Sequence, residues 1–368
     1  MHVLFITSWF ETPSRPTAGK AVKDLAIALH RQGISVSILF QSFERLPWQS
    51  KSGDIDVFHF RSLSRTKFYP VFNIWSLRKG IHYFQQYVNN KGKPDLIHIH
   101  SYSSLALGHE IYRLFKIPFL YTEHSSQIAE QKIGFIKKEI IKYYLKDSKE
   151  TVAVSEYLKK AMLSFKANVR IIPNTINFDF FVPGVNRKEE QLIMINLLTE
   201  NKQVYKGIDA FKCWKSKHTN GKMYIIGDGP EKSSLERLAE NEKIYFPGEQ
   251  KESDWIEILQ SSACLLLMSK SETFGVVILE ALACHIPVIC FDNGGVQEIA
   301  QCIPNTHMLS ILDSSASDMA IAAAIDASNK NFSIDEAIRV RKVLNNQFGY
   351  TPVSSAYMEV YNEIHNRN

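Results

Sequence analysis

Residues 269–298, SKSETFGVVILEALACHIPVICFDNGGVQE, contain a helix-length segment that is apolar on every side except at one acid. The segment is VVILEALAC (276–284), and the acid is Glu280. A helix without a polar face is buried, and a buried carboxylate needs a compensating partner because desolvating its charge is costly. The sequence therefore predicts that Glu280 meets either a hydrogen-bonding ligand or a basic side chain.

Strand-length apolar runs flank this helix, namely SACLLLMS before it and IPVICFD after it. The same alternation recurs in both halves of the chain, as in HVLFIT, DLIHIH, QLIMINLL and KMYIIG. Strands that alternate with helices indicate parallel sheets covered on both faces. The charged stretch 177–190, which contains Pro183 and Gly184, is typical of a linker. We therefore predict an α/β chain with two doubly wound, Rossmann-like domains, at residues 1–185 and 186–349.

The length and composition agree with this organisation. A chain of 368 residues is long for one core and typical of two domains. It is 45% hydrophobic and 22% charged, and no apolar run reaches the ~20 residues of a membrane span. The N-terminal HVLFIT is typical of a strand rather than of a signal peptide. Five cysteines without a paired framework fit reduced thiols, so we predict a cytoplasmic protein.

Charge is distributed unevenly between the two halves. Residues 1–185 hold 25 Lys and Arg against 14 Asp and Glu, a net +11, whereas residues 186–368 hold 18 against 24, a net −6. This asymmetry favours two domains with different tasks and an anionic partner for the first. No nucleic-acid recognition motif is present, so we do not expect nucleic acid to be that partner.

A basic amphipathic helix is predicted in the first half, within QKIGFIKKEIIKYYLKDSKE (131–150). It could lie on an anionic membrane surface, in which case the protein would be peripheral on the cytoplasmic face. The alternative is a surface helix that packs its apolar stripe on its own sheet. The stretch 60–80 adds basic and aromatic residues. The predicted stripe is Ile136, Ile140, Tyr143 and Tyr144, and the lysines around it include Lys137, Lys138 and Lys142.

A second acid, Glu272, lies eight residues before Glu280. On one continuous helix the two would diverge by about 80°. Glu272 is better placed in the loop between strand and helix, where the loops of parallel sheets bind ligands. The N–H groups of Phe274 and Gly275 would then lie at a helix N-terminus, which favours anionic or oxygen-rich ligands.

The spacing from Glu272 to Glu280, E-x7-E within SETFGVVILEALAC, resembles the donor-site signature of retaining nucleotide-sugar glycosyltransferases of the GT-B fold, family 4. The likeness covers nearly the whole chain, and the order and spacing of several segments carry it. They are PTAGKAV (16–22), YTEHS (121–125), VRIIPNTIN (169–177), IIGDGPEKSSLERLA (225–239), IYFPGEQ (244–250) and SSAYMEVYNEI (354–364). The resemblance implies two domains facing across a cleft, with a C-terminal helix (350–368) that crosses back to the first.

The resemblance also assigns roles to residues. Glu280 would accept hydrogen bonds from the ribose hydroxyls, and Glu272 and His124 would contact the donor sugar. Lys206 would stabilise charge on the leaving diphosphate. Further donor-binding positions are Gly19, Gly227, Gly229, Thr273, Phe274 and Gly275. The implied reaction retains anomeric configuration and needs neither metal nor cofactor. Its donor would be a UDP-sugar in preference to a GDP-sugar, and its acceptor a glycan or a lipid-linked intermediate.

Two departures from the family pattern are visible. The family has an arginine several residues before the lysine, whereas INLLTENKQVYKG (195–207) has none, and Lys202 is the candidate to replace it. The glycine expected after ALAC is His285, which we expect to reshape the end of a helix.

Structural explanations remain open for each candidate residue. Glu272 could be a solvated loop acid, Lys206 a surface lysine and His124 a buried core histidine; we interpret His98 as structural and leave His100 open. Asp54 and Asp56 imitate the metal-binding D-x-D of another glycosyltransferase fold, although they lie near a turn. The alternative functions are a different enzyme on the same architecture, a catalytically silent sugar-nucleotide-binding subunit, and a transferase that acts on a small soluble acceptor.

Overall fold

The computed structural model describes residues 1–62 and 74–367, which form two compact units. The first unit comprises residues 1–14, 18–175 and the C-terminal segment from Tyr350, and the second comprises residues 15–17 and 176–349. The predicted linker lies at the start of the second unit, and the predicted boundary at residue 185 stays a prediction. The basic and aromatic stretch 60–80 lies largely outside the described residues.

The first unit contains an eight-stranded sheet in the order β3-β4-β2-β1-β5-β6-β7-β8. All neighbouring strands are parallel except β3, which pairs antiparallel with β4. Strands such as β1 and β5 are buried along nearly their whole length, because helices cover both faces of a parallel sheet. The strands are β1 (His2–Thr7), β2 (Ser35–Ser42), β3 (Gln49–Ser52), β4 (Ile55–Arg61), β5 (Leu96–His100), β6 (Phe119–Glu123), β7 (Glu150–Ala153) and β8 (Arg170–Ile171).

Six helices alternate with these strands. They are α1 (Lys20–Arg31), α2 (Ile74–Lys91), α3 (Leu105–Phe115), α4 (Ser126–Ala129), α5 (Phe135–Leu145) and α6 (Glu156–Met162), with a 3-10 turn at Tyr102–Ser104. Ser125 and Ser155 begin α4 and α6 as N-caps, each accepting a hydrogen bond from a first-turn N–H.

The second unit contains a six-stranded, fully parallel sheet in the order β11-β10-β9-β12-β13-β14. Counted within the unit this is 3-2-1-4-5-6, the doubly wound order in which the succession of strands reverses between β9 and β12. The strands are β9 (Gln191–Ile195), β10 (Lys222–Ile226), β11 (Ile244–Gly248), β12 (Cys264–Leu267), β13 (Val288–Phe291) and β14 (Leu309–Leu312). The prediction of two parallel-sheet α/β units is confirmed.

Seven helices cover this sheet. They are α7 (Val204–Lys215), α8 (Lys232–Leu238), α9 (Glu252–Gln260), α10 (Val276–Ala283), α11 (Val296–Cys302), α12 (Asp318–Lys330) and α13 (Ile334–Phe348). The apolar segment VVILEALAC (276–284) contains α10, and Ile278 to Ala283 within it are all buried. A short 3-10 turn at Glu200–Lys202 precedes α7.

The last helix, α14 (Tyr350–Asn366), belongs to the first unit. Its apolar side, including Val353 and Val360, joins the core formed by β1, β2 and α1. The Tyr350 hydroxyl donates to Asp24 Oδ1 of α1 at 2.9 Å, and this hydrogen bond fixes the start of the helix. The predicted return of the C-terminal helix to the first domain is therefore confirmed. Across residues 1–62 and 74–367, every helix is too short or too polar to cross a bilayer.

Candidate functional site

The point where the strand order reverses in the second unit carries a partly buried ion pair. Lys202, in the loop after β9, places its Nζ 2.6 Å from Glu272 Oε1, in the loop after β12. The Glu272 side chain is 12% exposed and that of Lys202 is 22% exposed. Ligands of doubly wound folds bind beyond the carboxyl ends of the strands at this position. Glu272 thus lies in the predicted loop, and a solvated loop acid does not describe it.

Hydrogen bonds hold the two loops together around this pair. The Lys270 N–H donates to the Asn201 carbonyl at 2.7 Å, and Asn201 Nδ2 donates to the Ser271 carbonyl at 3.0 Å. On the outer side, Lys270 forms an ion pair with Glu200 at 2.8 Å, where the Glu200 side chain is 82% exposed. The loops are therefore joined by backbone contacts that do not depend on the Lys202–Glu272 pair.

The loop after β13 locks the other side of Glu272. The Gly295 N–H donates to the Glu272 carbonyl at 2.9 Å, and the Asn293 side-chain amide donates to the Ser269 carbonyl. A Cβ on Gly295 would lie 2.5 Å from the Thr273 carbonyl oxygen, so only glycine permits this close approach. The backbone around Glu272 is consequently fixed by three loops that meet at one edge of the sheet.

Gly275 begins α10 with φ of 90°, a conformation that favours glycine. No side chain caps this helix start, so its first N–H groups are available to a ligand. Glu280, one turn further along, is 4% exposed, as the all-apolar segment predicts. Burial, with a contribution from the Glu280 charge, raises the pKa of Cys284 to about 12.

Lys206 lies in the first turn of α7, four residues after Lys202. Its Nζ donates to the Ser314 carbonyl at 2.7 Å, in the loop after β14, and lies 4.9 Å from the centre of the Phe291 ring. Within the described residues its Nζ has no carboxylate partner within 4 Å, whereas Lys202 has Glu272. Two lysines thus face the carboxyl ends of the strands, one paired with an acid and the other with a carbonyl.

Close backbone contacts explain why residues 227 and 229, in GDGP (227–230), are glycines. A Cβ on Gly227 would lie 1.8 Å from the Asn196 carbonyl oxygen, and one on Gly229 would lie 2.3 Å from the Leu198 carbonyl oxygen. These residues let the loop after β10 pack against the loop after β9. Their predicted contact with the donor stays a prediction.

In the first unit, the equivalent sheet edge is lined by neutral histidines. His124, which follows β6, places its Nε2 3.2 Å from Nδ1 of His100 at the end of β5. Burial lowers the pKa of His124 to about 4 and that of His100 well below its usual value, so both rings are uncharged near neutral pH. His98 is structural, because it bridges the Tyr361 hydroxyl of α14 at 2.8 Å and the Thr122 hydroxyl at 2.7 Å.

Sequence reasoning missed Glu123, which fixes the backbone that carries His124. Its carboxylate is fully buried, and Oε1 accepts the N–H groups of His124 and Ser125, both at 2.7 Å. The Tyr121 hydroxyl donates to the other carboxylate oxygen. Burial raises the pKa of Glu123 to about 6, although these hydrogen bonds oppose the rise. An acid at the end of an apolar strand, in YTEHS, was the signal available in the sequence.

Gly19 precedes α1 with φ of 70°, and a Cβ there would lie 2.4 Å from the Trp9 carbonyl oxygen. The glycine is thus required where the loop after β1 folds back on α1. A contact between Gly19 and a donor phosphate stays a prediction.

The three lysines assigned to an acceptor or a membrane have different surroundings. Lys137 turns towards the sheet edge, where its Nζ donates to the Tyr102 hydroxyl at 3.1 Å, and burial lowers its pKa. Lys138 places its Nζ 5.5 Å from the Phe165 ring centre, and Lys142 pairs with Glu139 at 2.8 Å. Only Lys137 therefore joins the residues around His124.

The remaining sequence candidates are explained by local structure. Asp56 forms an ion pair with Lys91 at 2.5 Å, and this partner holds its pKa below the usual value. His285 has φ of 62° and follows α10, where the N–H of Ile286 reaches back to the Ala281 carbonyl at 2.9 Å. This is a Schellman motif with histidine at the position that favours glycine. Among residues 1–62 and 74–367, no group of three or more metal-ligating side chains could hold a metal ion.

Two family models match this chain. The model described as Glycosyltransferase Family 4 matches residues 18–180, and the model described as Glycosyl transferases group 1 matches residues 175–327. Together they cover most of the chain. This protein is a glycosyltransferase. Each unit of this glycosyltransferase corresponds to one model, and the second model contains Lys202, Lys206, Glu272 and Glu280.

Similar proteins support the family and the fold. An uncharacterized glycosyltransferase of Methanocaldococcus jannaschii is 25% identical over 81% of this chain and 82% of its own length. The alpha-monoglucosyldiacylglycerol synthase of Acholeplasma laidlawii is 26% identical over 54% of this chain, and the match spans only 59% of that relative. The solved structure of Anabaena HepE in complex with UDP-glucose is 16% identical, with a TM-score of 0.76 over 99% of this chain and all of that one. At this level of identity the structural likeness establishes the GT-B fold alone.

Proposed function

We propose that this glycosyltransferase moves a sugar from a UDP-sugar to a hydroxyl of a lipid-linked or polysaccharide intermediate at the cytoplasmic face of a membrane. The transfer retains anomeric configuration and uses no metal ion. The observation that carries the proposal is the Lys202–Glu272 pair, which lies at the reversal of strand order in the second unit. Glu272 precedes α10, whose N-terminus has no side-chain cap, and Lys206 lies in the first turn of α7, four residues after Lys202.

The donor would bind along the carboxyl ends of β9, β12 and β13. Glu280 accepts hydrogen bonds from the two ribose hydroxyls, which supply two donors to one carboxylate. The N–H groups of Thr273, Phe274 and Gly275 contact the sugar or the diphosphate. HepE, whose structure contains UDP-glucose, favours uridine as the base.

Lys202 changes partner when the donor enters. In the structure its ammonium pairs with Glu272, the acid assigned to the hydroxyls of the donor sugar. A diphosphate presents more negative charge than one carboxylate, so Lys202 moves to it and releases Glu272 to the sugar. Lys202 thereby supplies the cation that the missing family arginine provides elsewhere, and Lys206 supplies the second.

The chemical step exchanges one bond at the anomeric carbon for another. The bond from this carbon to the diphosphate oxygen breaks while the acceptor oxygen bonds to the same face of the sugar. The acceptor proton passes to the departing phosphate oxygen. The protein contributes position and charge: Lys202 and Lys206 stabilise the negative charge that develops on the leaving group, and Glu272 orients the sugar.

The acceptor would bind at the sheet edge of the first unit. The net positive charge of the first half of the chain favours an anionic acceptor. Lys137 provides an ammonium group whose hydrogen-bond partner is the neutral Tyr102 hydroxyl. His124 is uncharged and held in place by Glu123 and His100, which suits hydrogen bonding to a sugar hydroxyl. The diacylglycerol synthase among the relatives favours a lipid acceptor.

Thermal unfolding with UDP, GDP and ADP, each without added metal, tests the donor assignment. A ligand at about 100 times its dissociation constant stabilises the folded state by roughly 2.7 kcal/mol, a shift of a few degrees for domains of this size. We expect UDP to give the largest shift and Glu280→Ala to remove it, while the exposed-acid control Glu200→Ala keeps it. A folded protein that responds to none of the three nucleotides would refute the proposal.

A further inference from the structure

Helix α5 exposes large apolar side chains at its first turn. Phe135 is 78% exposed and Ile136 is 70% exposed, and Tyr143, two turns later, is 53% exposed. The helix packs on its own unit through Ile141 and Leu145 instead, which are 3% and 0% exposed. The predicted stripe of Ile136, Ile140, Tyr143 and Tyr144 does not pack on the sheet as a whole, because Ile136 and Tyr143 are exposed, while Ile140 and Tyr144 are half-buried.

A neighbouring segment extends this exposed surface. Lys166 donates to the Leu145 carbonyl at 2.8 Å, and Lys138 lies 5.5 Å from the Phe165 ring centre, so residues 163–166 run beside α5. Leu163 in that segment is 48% exposed. We call the patch formed by Phe135, Ile136, Lys138, Lys142, Tyr143 and Leu163 the α5 surface.

The charge around the α5 surface is strongly positive. Residues 131–166 contain nine lysines against four acids, a net +5 that equals the net charge of the whole chain. Lys146 lies 4.2 Å from the ring centre of Tyr143, so a cation accompanies an exposed aromatic on this face. Exposed apolar side chains and neighbouring lysines are the two features that together hold a helix at an anionic bilayer.

Two exposed apolar residues of the second unit have acids close by. Met319, 74% exposed, follows Asp318, and Ile338, 52% exposed, lies in α13, whose first turn carries Asp335 and Glu336 and whose Arg339 pairs with Glu336. Acids beside apolar groups would be repelled by an anionic surface. The contrast argues for a specific use of the α5 surface, because large apolar side chains are exposed in both units.

We propose that the α5 surface docks on an anionic lipid bilayer, with Phe135 and Ile136 inserted among the acyl chains and Lys138 and Lys142 at the headgroups. This inference deepens the membrane location in the proposed function by naming the surface and the lipid charge. It does not depend on the nucleotide, since none of these residues belongs to the second unit.

The experiment is co-sedimentation of the full chain with vesicles, without nucleotide. We expect binding to phosphatidylcholine vesicles that contain phosphatidylglycerol and little binding to phosphatidylcholine alone. Phe135→Ser/Ile136→Ser should weaken binding to the anionic vesicles at least tenfold, by removing the inserted groups. Lys138→Gln/Lys142→Gln should weaken it by about fivefold per lysine and reduce its sensitivity to salt. The matched control is Met319→Ser/Ile338→Ser, which removes two exposed apolar groups from the second unit and should bind as the wild type does.

Each outcome bears on the inference. It is overturned if the wild type does not bind anionic vesicles, if it binds both vesicle types equally, or if the control pair weakens binding as much as the α5 pair. Thermal unfolding of each variant shows that loss of binding is not loss of folding. The UDP-induced shift separates the two proposals: Phe135→Ser/Ile136→Ser should keep it, whereas Glu280→Ala should lose it and still bind vesicles.

Discussion

The two units have similar strand orders, β4-β2-β1-β5-β6-β7 in the first and β11-β10-β9-β12-β13-β14 in the second, but they present different side chains at the strand ends. In the second unit, the loops at the reversal of strand order hold an ion pair, Lys202–Glu272, and are tied by backbone contacts. In the first unit, the corresponding edge holds the uncharged His100 and His124. Lysines suit a diphosphate and its leaving-group charge, whereas uncharged imidazole rings suit the hydroxyls of sugars. The comparison teaches that similar folds can present different side chains at their strand ends, and we therefore expect the two units to bind different ligands.

The largest expected effect is on Glu272, because it tests the charged edge directly. Glu272→Gln keeps the size of the side chain but removes the charge that pairs with Lys202 and orients the donor sugar. We expect turnover to fall by about 10²–10³-fold, a typical loss for one preorganised electrostatic contact. Steady-state kinetics with a UDP-sugar would measure it.

Glu200→Gln is the matched control, since Glu200 pairs with Lys270 in the same loops but is exposed. We expect its turnover to stay within about twofold of the wild type, because exposed ion pairs contribute little. Equal losses in both variants would mean that general loop charge, and not Glu272 itself, supports the reaction.

A smaller effect is expected at Glu123, which holds the backbone of His124 at the strand ends of the first unit. Burial raises the pKa of this carboxyl to about 6, above the value in an unfolded chain, so the folded state holds the proton more tightly. That contribution to stability is present below the unfolded pKa and is lost as the pH rises through about 6. Glu123→Gln keeps an oxygen for the N–H groups of His124 and Ser125 and has no carboxyl to ionise.

We therefore compare the free energy of unfolding of Glu123→Gln with that of the wild type at two pH values. The difference, variant minus wild type, should be about 2 kcal/mol more favourable to the variant near pH 8 than near pH 4. Urea unfolding of both proteins at the two pH values measures this difference. A difference that does not change with pH would show that Glu123 is not a buried titrating group.

The smallest effect is expected at His285, outside both edges. This residue adopts φ of 62° at the end of α10, and neither ring nitrogen has a hydrogen-bond partner among the described residues. His285→Gly should raise the free energy of unfolding by about 1 kcal/mol, because glycine adopts this conformation without strain. His285→Ala keeps the strain and should give no gain. If both variants gave the same change, the side chain rather than the backbone would be responsible.

The alternation of apolar runs was sufficient to predict the fold. Runs such as DLIHIH and SACLLLMS became β5 and β12, because buried parallel strands are apolar on both faces. The positions of Glu272 in a loop and Glu280 in a buried helix also followed from local pattern. These features depend on residues close together in the chain.

Contacts between distant residues could not be predicted in this way. Lys202 and Glu272 are 70 residues apart and meet because β9 and β12 are neighbours in the sheet. The side of α5 that packs on the sheet could not be predicted, because a helix with apolar residues at 135, 136, 140, 141, 143, 144 and 145 has more than one apolar stripe, and only packing decides which is buried. Glu123 was missed although an acid ends the apolar strand in YTEHS, because two of its partners are backbone N–H groups, which the sequence does not identify.

The central claim is that the nucleotide binds to the second unit and that the histidines of the first unit do not hold it. UDP affinity measured by calorimetry tests this claim most directly. The proteins are the wild type, Glu280→Ala from the second unit and His124→Ala from the first. We predict that Glu280→Ala weakens UDP binding by at least tenfold, since it removes the acceptor of the ribose hydroxyls. His124→Ala should leave the affinity for UDP unchanged. Strong UDP binding by Glu280→Ala, together with its loss in His124→Ala, would contradict the account.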